Sequence, residues 1–257
     1  MHESVRVEHQ GAVMVVTLNR PEKVNALTRD TLFALREAFQ AAGEDDSVRS
    51  VLLTGAGRGF CAGQDLDLGG GDADYAEVIR QTYNPLINIM TRLEKPIVCA
   101  INGVAAGAGV SLALACDLRV ASESAVFIQA FVNIGLIPDS GGTWFLPRIV
   151  GLGRAMELAM LGDRVDAARA YEIGLVNRVV PADQLMAEAM ALAERLASMP
   201  TRAIGLIKRA HYEGMEQTLA QSLELEAVLQ KEAGQTEDHQ EGVRAFLEKR
   251  PPRFQGR

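Results

Sequence analysis

Three stretches, Gly59-Phe60-Cys61-Ala62-Gly63-Gln64-Asp65-Leu66, Asn102-Gly103-Val104-Ala105-Ala106-Gly107-Ala108-Gly109-Val110-Ser111 and Pro138-Asp139-Ser140-Gly141-Gly142-Thr143, decide how this chain is read. Each of the first two leaves backbone N–H groups unpaired at a turn or a helix start, where they can hold an anion. The third offers a solitary carboxylate, Asp139. Together they read as an oxyanion site with an acid/base group beside it.

Working outward, Val13-Met14-Val15-Val16-Thr17-Leu18 is a β-rich run. After Arg20-Pro21, a helix opens with Thr28 as its N-cap and carries Leu32, Leu35 and Phe39 at helical spacing. Val51-Leu52-Leu53-Thr54 and Ile97-Val98-Cys99-Ala100-Ile101 read as buried strands that end at Gly55-Ala56-Gly57 and Asn102-Gly103. Both anion-holding stretches therefore follow strand ends. Between them the reading predicts a flexible loop at Gly69-Gly70-Gly71-Asp72, a helix over 76–93 and a short buried helix over 109–116. Strands separated by helices imply an α/β fold with a largely parallel sheet and βαβ crossovers.

After Pro181 the pattern changes. Residues 184–199, 201–212, 218–231 and 237–249 all read as amphipathic helices with no β-rich run among them. The predicted division is a strand-bearing core over 1–195 and a helical C-terminal region over 196–257, able to close the core or to pack against another subunit.

With 257 residues, 48% hydrophobic and 23% charged, the chain can build a full core without staples. Its apolar runs fall far short of the ~20 residues a membrane span needs, and Met1-His2-Glu3-Ser4 lacks a targeting leader, so a cytoplasmic protein with no membrane partner is expected. The 26 basic against 33 acidic residues give a net charge of −7, which argues against nucleic acid as a partner. Cys61, Cys99 and Cys116 form an odd set without metal-ligand spacing, so neither a disulfide framework nor a metal site is expected. The four histidines, His2, His9, His211 and His239, all lie outside residues 10–210, where every glycine-rich motif is found. That placement disfavours His-assisted nucleophilic catalysis.

The three stretches occur in a fixed order with Cys116-Asp117, Gly174-Leu175-Val176 and the terminal Ala245-Phe246-Leu247-Glu248-Lys249-Arg250. In that order the chain resembles the enoyl-CoA hydratase/isomerase (crotonase) superfamily over essentially its whole length. The resemblance implies a crotonase-like spiral of ββα repeats with a C-terminal helical region that drives trimers and often hexamers. It places the two oxyanion N–H groups on Gln64 and Ala108, gripping the thioester carbonyl of an acyl-CoA, and only the backbone is required there. The two glutamates of the family's hydratases are replaced here by Ser111 and Phe131, so hydration is disfavoured.

Asp139 falls where dienoyl-CoA isomerases and 4-chlorobenzoyl-CoA dehalogenases carry a catalytic aspartate, but the dehalogenase histidine position is Asn84. Tyr83-Asn84-Pro85-Leu86, Phe131 and Ile137-Pro138-Asp139-Ser140-Gly141-Gly142-Thr143-Trp144 are most similar to the ring-1,2-epoxyphenylacetyl-CoA isomerases of phenylacetate degradation. Those enzymes form an oxepin and also move a 3,4 double bond of an enoyl-CoA to the 2,3 position. The implied substrate-binding set is Lys23, Ala62, Asp65, Leu66, Gly107, Ser111, Phe131 and Lys249. Lys23 and Arg20 would lie near the pantetheine and phosphates, and Lys249 would come from an adjacent subunit. No separate cofactor is implied, because coenzyme A is part of the substrate. The alternatives are a fatty-acid Δ3,Δ2-enoyl-CoA isomerase, a hydratase-like enzyme and a non-catalytic acyl-CoA-binding subunit.

Overall fold

The computed structural model describes residues 3–65 and 74–257. Leu66 and the predicted loop at 69–72 lie outside the described residues. In chain order the strands are β1 (Val5–Gln10), β2 (Val13–Leu18), β3 (Ser50–Gly55), β4 (Gly59–Cys61), β5 (Ile97–Ile101), β6 (Val104–Ala106), β7 (Leu118–Ser122), β8 (Val126–Ile128), β9 (Arg164–Asp166) and β10 (Arg178–Val180). One sheet has the order β1-β2-β3-β5-β7-β10 and the other β4-β6-β8-β9. The outer pairs β1–β2 and β8–β9 are antiparallel and every other neighbour is parallel.

Consecutive strands divide between the two sheets. β3 and β4 precede α2 (Tyr75–Gln81) and α3 (Tyr83–Arg92), β5 and β6 precede α4 (Ala108–Leu114), and β7 and β8 precede α5 (Gly142–Val150). This ββα repetition is the spiral the resemblance implies. The period-2 alternation of β2 shows why the large sheet is buried twice. Met14, Val16 and Leu18 join a core with Leu35, Phe39, Leu53 and Ile101, whereas Val13 and Val15 join Leu52, Val98 and Val120 on the other face.

The first core is covered by α1 (Arg29–Glu44), whose N-cap Thr28 accepts a hydrogen bond from the Thr31 N–H as the sequence predicts. The second is covered by α8 (Leu185–Ala197) through Leu185, Ala189, Leu192, Ala193 and Ala197. Between them run α6 (Leu152–Leu161) and α7 (Ala167–Glu172), and beyond them α9 (Thr201–Gly214), α10 (Leu219–Gly234) and α11 (Glu237–Glu248). The proposed division at residue 195 thus falls within the last turn of α8. Arg49 fastens the later helices to the core, donating to the Thr201 hydroxyl (2.8 Å) and to the carbonyls of Met199 (2.7 Å) and Phe254 (2.9 Å).

The single helix predicted over 76–93 is two helices broken at Thr82, which has φ −118° and ψ −67°. Pro85 supplies the reason: in a continuous helix its ring would collide with the carbonyl four residues earlier and it has no N–H to give. The break leaves Tyr83 as the first residue of α3, buried with Leu86 and Met90.

Candidate active site

β4, β6 and β8 are neighbours and parallel, so their C-terminal ends lie side by side, the position where open α/β sheets bind ligands. After β4 comes the segment Ala62, Gly63, Gln64 and Asp65; after β6, Gly107 and α4; after β8, Gln129 and the 3₁₀ helix Ala130–Ile134. Topology alone therefore brings together two of the stretches singled out in the sequence and the segment that carries Phe131.

The segment after β4 is stitched to the loop that carries Lys23. The Ala62 N–H donates to the Val24 carbonyl (2.9 Å), the Leu27 N–H to Gly63 (2.7 Å) and the Asp65 N–H to Leu27 (2.9 Å). Leu27 and Gln64 form a parallel bridge in which both polar groups of Leu27 are used. Because successive peptides of an extended segment point to opposite sides, the Gln64 N–H faces away from that loop. On that far side β6 ends. Gly63 sits at φ 94°, and a Cβ built on it would stand 2.8 Å from the Ala106 oxygen and 3.6 Å from the Ala108 nitrogen. Only a glycine permits both this backbone conformation and this approach.

Gly107, at φ 51° and ψ −123°, turns the chain from β6 into α4 and donates its N–H to the Ile128 carbonyl (2.9 Å). Ala108 is then the first helical residue, one whose N–H the helix itself does not use. The Gln64 and Ala108 amides thus belong to adjoining segments at one strand-end edge. Phe131 closes the far side, with its ring 3.9 Å from where a Cβ on Gly107 would stand.

One turn along α4, Ser111 reaches the aspartate turn: a Cβ on Gly142 would lie 2.7 Å from the Ser111 Oγ and 3.3 Å from Pro138 Cβ. The Asp139 carbonyl accepts from the Gly142 N–H (2.8 Å) and the Ser140 hydroxyl donates to Asp139 Oδ1 (2.8 Å). Asp139 does not cap the helix that follows it, because α5 begins at Gly142 with Gly141 as its cap and no side-chain cap bond. Burial raises the Asp139 carboxyl above the ordinary carboxylate range, and the Ser140 hydrogen bond only partly opposes it. A carboxyl so placed is a stronger base than an exposed one and can also return a proton.

Residues 8–257 match the model of the family described as enoyl-CoA hydratase/isomerase. The chain belongs to the enoyl-CoA hydratase/isomerase family. A 1,2-epoxyphenylacetyl-CoA isomerase of Escherichia coli K12 is 46% identical, with the whole of both chains covered. A crotonyl-CoA hydratase of Syntrophomonas wolfei is 37% identical over 98% of each chain. Among solved structures, an enoyl-CoA hydratase from Bacillus anthracis superposes with a TM-score of 0.93 at 37% identity, covering 99% of this chain and 100% of that one.

For a member of this family, acting on acyl-CoA thioesters, the remaining expected residues are placed as follows. Lys23 is exposed at the end of the 3₁₀ turn Pro21–Lys23, in the loop bonded to Ala62. The Asp65 carboxylate is ion-paired with Arg20 (2.8 Å), and Arg20 also donates to the Ala26 carbonyl (2.7 Å). That pair fixes the loop to the Gln64 segment, so both side chains are engaged within the protein. Lys249 stands apart, exposed at the C-cap of α11 with φ 53°. Leu66 lies outside the described residues.

Ser111 and Phe131, the positions at which the resemblance implies hydratase glutamates, are both buried. Asn84 is exposed on α3. Trp144 stacks on Tyr212 with centroids 5.8 Å apart and lies 4.1 Å beneath the Arg148 guanidinium, on the face of α5 that lines a neighbouring cleft with Gly141 and Ile87. Two site-flanking residues were not read from the sequence as functional. Ser140 gave no signal, because a left-handed serine looks like any other. Tyr83 gave one, a phenol on an otherwise apolar helix face.

Proposed function

We propose that this protein is an acyl-CoA isomerase that converts ring-1,2-epoxyphenylacetyl-CoA to the oxepin-CoA and shifts a 3,4 double bond of an enoyl-CoA to the 2,3 position. The observation that carries the reading is a single carboxylate, Asp139, raised by burial and set on a turn packed against the helix that Ala108 opens. The thioester oxygen would lie between the Gln64 and Ala108 N–H groups. Loss of one such donor typically costs ~2.7–4 kcal/mol of transition-state stabilisation, so the pair makes removal of a weakly acidic α-proton feasible near neutral pH.

In the enoyl reaction Asp139 takes the proton from C2, the electron pair spreads into a dienolate whose charge rests on the thioester oxygen, and the proton is returned at C4. One group handles both transfers, so no second carboxylate and no separate cofactor is needed. For the ring epoxide the same carboxylate assists the charge redistribution that opens the three-membered ring. Hydration of a 2-enoyl-CoA would need a base for water at Ser111 or Phe131, and neither side chain can serve.

Lys23 and Lys249 supply positive charge for the phosphates of coenzyme A, with Lys249 contributed by a second copy. Exposed apolar side chains on the C-terminal helices, among them Leu219, Phe246 and Leu247, support a homotrimer or hexamer, since such surface is ordinarily covered. Three buried, free cysteines suit a reducing compartment such as the cytoplasm.

A panel of 3-hexenoyl-CoA, the phenylacetyl-CoA ring epoxide and crotonyl-CoA tests the reading. Isomerisation of the first two without hydration of the third is expected. Rapid hydration of crotonyl-CoA with no isomerisation would overturn it, and acyl-CoA binding without C2 proton exchange in deuterated water would make the protein a binding subunit instead.

A further inference from the structure

Buried polar atoms without partners are rare, and each calls for a reason. Among the described residues, such atoms in or beside the segments that build the site are Tyr83 Oη, Asn102 Oδ1, Ser111 Oγ and both amide atoms of Gln129. Tyr83 is the most informative of them, because phenylalanine would fill the same core volume without the desolvation cost of an unmatched hydroxyl.

Its surroundings define what the hydroxyl can meet. Tyr83 is 2% exposed, at the start of α3, near enough to Asp139 and Cys61 that a negative charge on either would hold its proton more tightly. Cys61 ends β4, three residues before Gln64. The phenol therefore neighbours both the strand that precedes the first amide and the turn that carries the carboxylate, yet it bonds to neither. Asp139 Oδ1 takes the Ser140 hydroxyl instead. Burial holds the phenol well above its ordinary pKa, so it keeps its proton and stays a donor throughout the physiological range.

The thioester oxygen is already matched by two main-chain amides in the reading above, on which this inference rests. We propose that the Tyr83 hydroxyl hydrogen-bonds a second oxygen of the acyl group, carried beyond the thioester, and so selects oxygenated acyl-CoA substrates over plain enoyl chains. A buried group built to hydrogen-bond one substrate discriminates against an analogue lacking the oxygen, because binding the analogue leaves the group unpaired.

Tyr83→Phe, in the full-length protein, tests this with two ratios. The first compares affinities for 2-hydroxyphenylacetyl-CoA and phenylacetyl-CoA by titration calorimetry. The wild type should prefer the hydroxylated thioester about tenfold and the variant should lose that preference. The second compares kcat/KM for the ring epoxide with that for 3-hexenoyl-CoA, and it should fall about tenfold in the variant. A merely structural role would lower both substrates alike and leave both ratios unmoved, and that result overturns the proposal. The affinity ratio needs no turnover. If the wild type isomerises neither substrate, the isomerase reading fails, while the preference for the hydroxylated thioester still decides the role of Tyr83.

Discussion

The Ser140 hydroxyl, on a residue held at φ 52°, donates to Oδ1 of Asp139 over 2.8 Å. A left-handed non-glycine residue costs about 1–3 kcal/mol and persists where its surroundings over-determine it. Here the following Gly141 is also left-handed, at φ 80°, and the Gly142 N–H closes the turn on the Asp139 carbonyl. The turn leaves the carboxylate out of the helix cap and gives it the Ser140 hydroxyl as a neutral donor. That bond and the residue's own backbone N–H stabilise the ionised form but are outweighed by burial, so the carboxyl titrates above its ordinary range.

Ser140→Ala follows directly. Removing the hydroxyl takes away the larger of the two contributions that lower the Asp139 pKa and leaves only its own backbone N–H to oppose burial. Since the base must be ionised to accept the C2 proton, the acid limb of the kcat/KM profile moves to higher pH. Turnover at alkaline pH changes far less. A profile across the acid and neutral range with 3-hexenoyl-CoA measures this, and an acid limb that stays in place or moves down would show that Asp139 is not the titrating base.

Asp139→Asn separates activity from stability. Removing the proton carrier should lower kcat by about 10²–10⁴-fold. The effect on stability has the opposite sign. A carboxyl whose folded pKa is raised contributes stability below its unfolded pKa and loses that contribution as pH rises through the folded value. At neutral pH the ionised Asp139 is therefore a cost, and the asparagine variant should melt no lower than wild type. The difference should vanish toward low pH, where both side chains are neutral. Thermal melts at acid and neutral pH read it, and a variant destabilised at neutral pH would contradict burial as the cause of the shift.

Gly63→Ala probes the amide pair without touching a side chain. The new Cβ would meet the Ala106 oxygen at 2.8 Å on a backbone at φ 94°. Relief requires the strand ends carrying Gln64 and Ala108 to separate. Displacing one oxyanion donor lowers kcat by about 10²–10³-fold. Backbone strain adds about 1–3 kcal/mol of destabilisation. Steady-state kinetics beside a urea titration distinguish the two. If kcat survives in the folded variant, the two amides do not act on one oxygen.

How much of this could be read from sequence depends on the length of each pattern. Six-residue runs such as Val13–Leu18 carry enough alternation and β-branching to be recognised, and Thr28 announces α1 by its chemistry. The three-residue strands β4, β6 and β8 carry almost no periodicity, so the second sheet, which aligns the site, is visible only through the glycine-rich segments that follow its strands. The break at Thr82 was signalled by Pro85, but a strong apolar period across 76–93 masks it. Asp139 was legible as a lone acid. Its partner Ser140 and the unmatched hydroxyl of Tyr83 were not, because both depend on where distant segments meet.

The same dependence on distant contacts governs how the helical region is held, and Lys208 is the place to test it. Its Nζ donates to Asp117 Oδ2 (2.9 Å) and to the Met90 carbonyl (2.8 Å), and the same carboxylate oxygen accepts the Ile97 N–H (2.8 Å). One lysine of α9 thereby ties α3 and the segment between α4 and β7 to the C-terminal region. Burial raises the Asp117 carboxyl, with Lys208 the largest opposing influence. Lys208→Met leaves that carboxylate without its cation. A fully buried pair broken in this way costs roughly 3–5 kcal/mol, and since the Asp117 side chain is 21% exposed the loss here should be about 2–3 kcal/mol. Without the lysine the Asp117 pKa rises further, so protonation relieves the unpaired charge as pH falls. The deficit should therefore be smaller at acid than at neutral pH, and adding Asp117→Asn should recover part of it. Urea denaturation of the single and double variants measures both effects. A deficit independent of pH and untouched by the second substitution would mean that the aliphatic stem of Lys208 stabilises the junction by packing and that its charge does not.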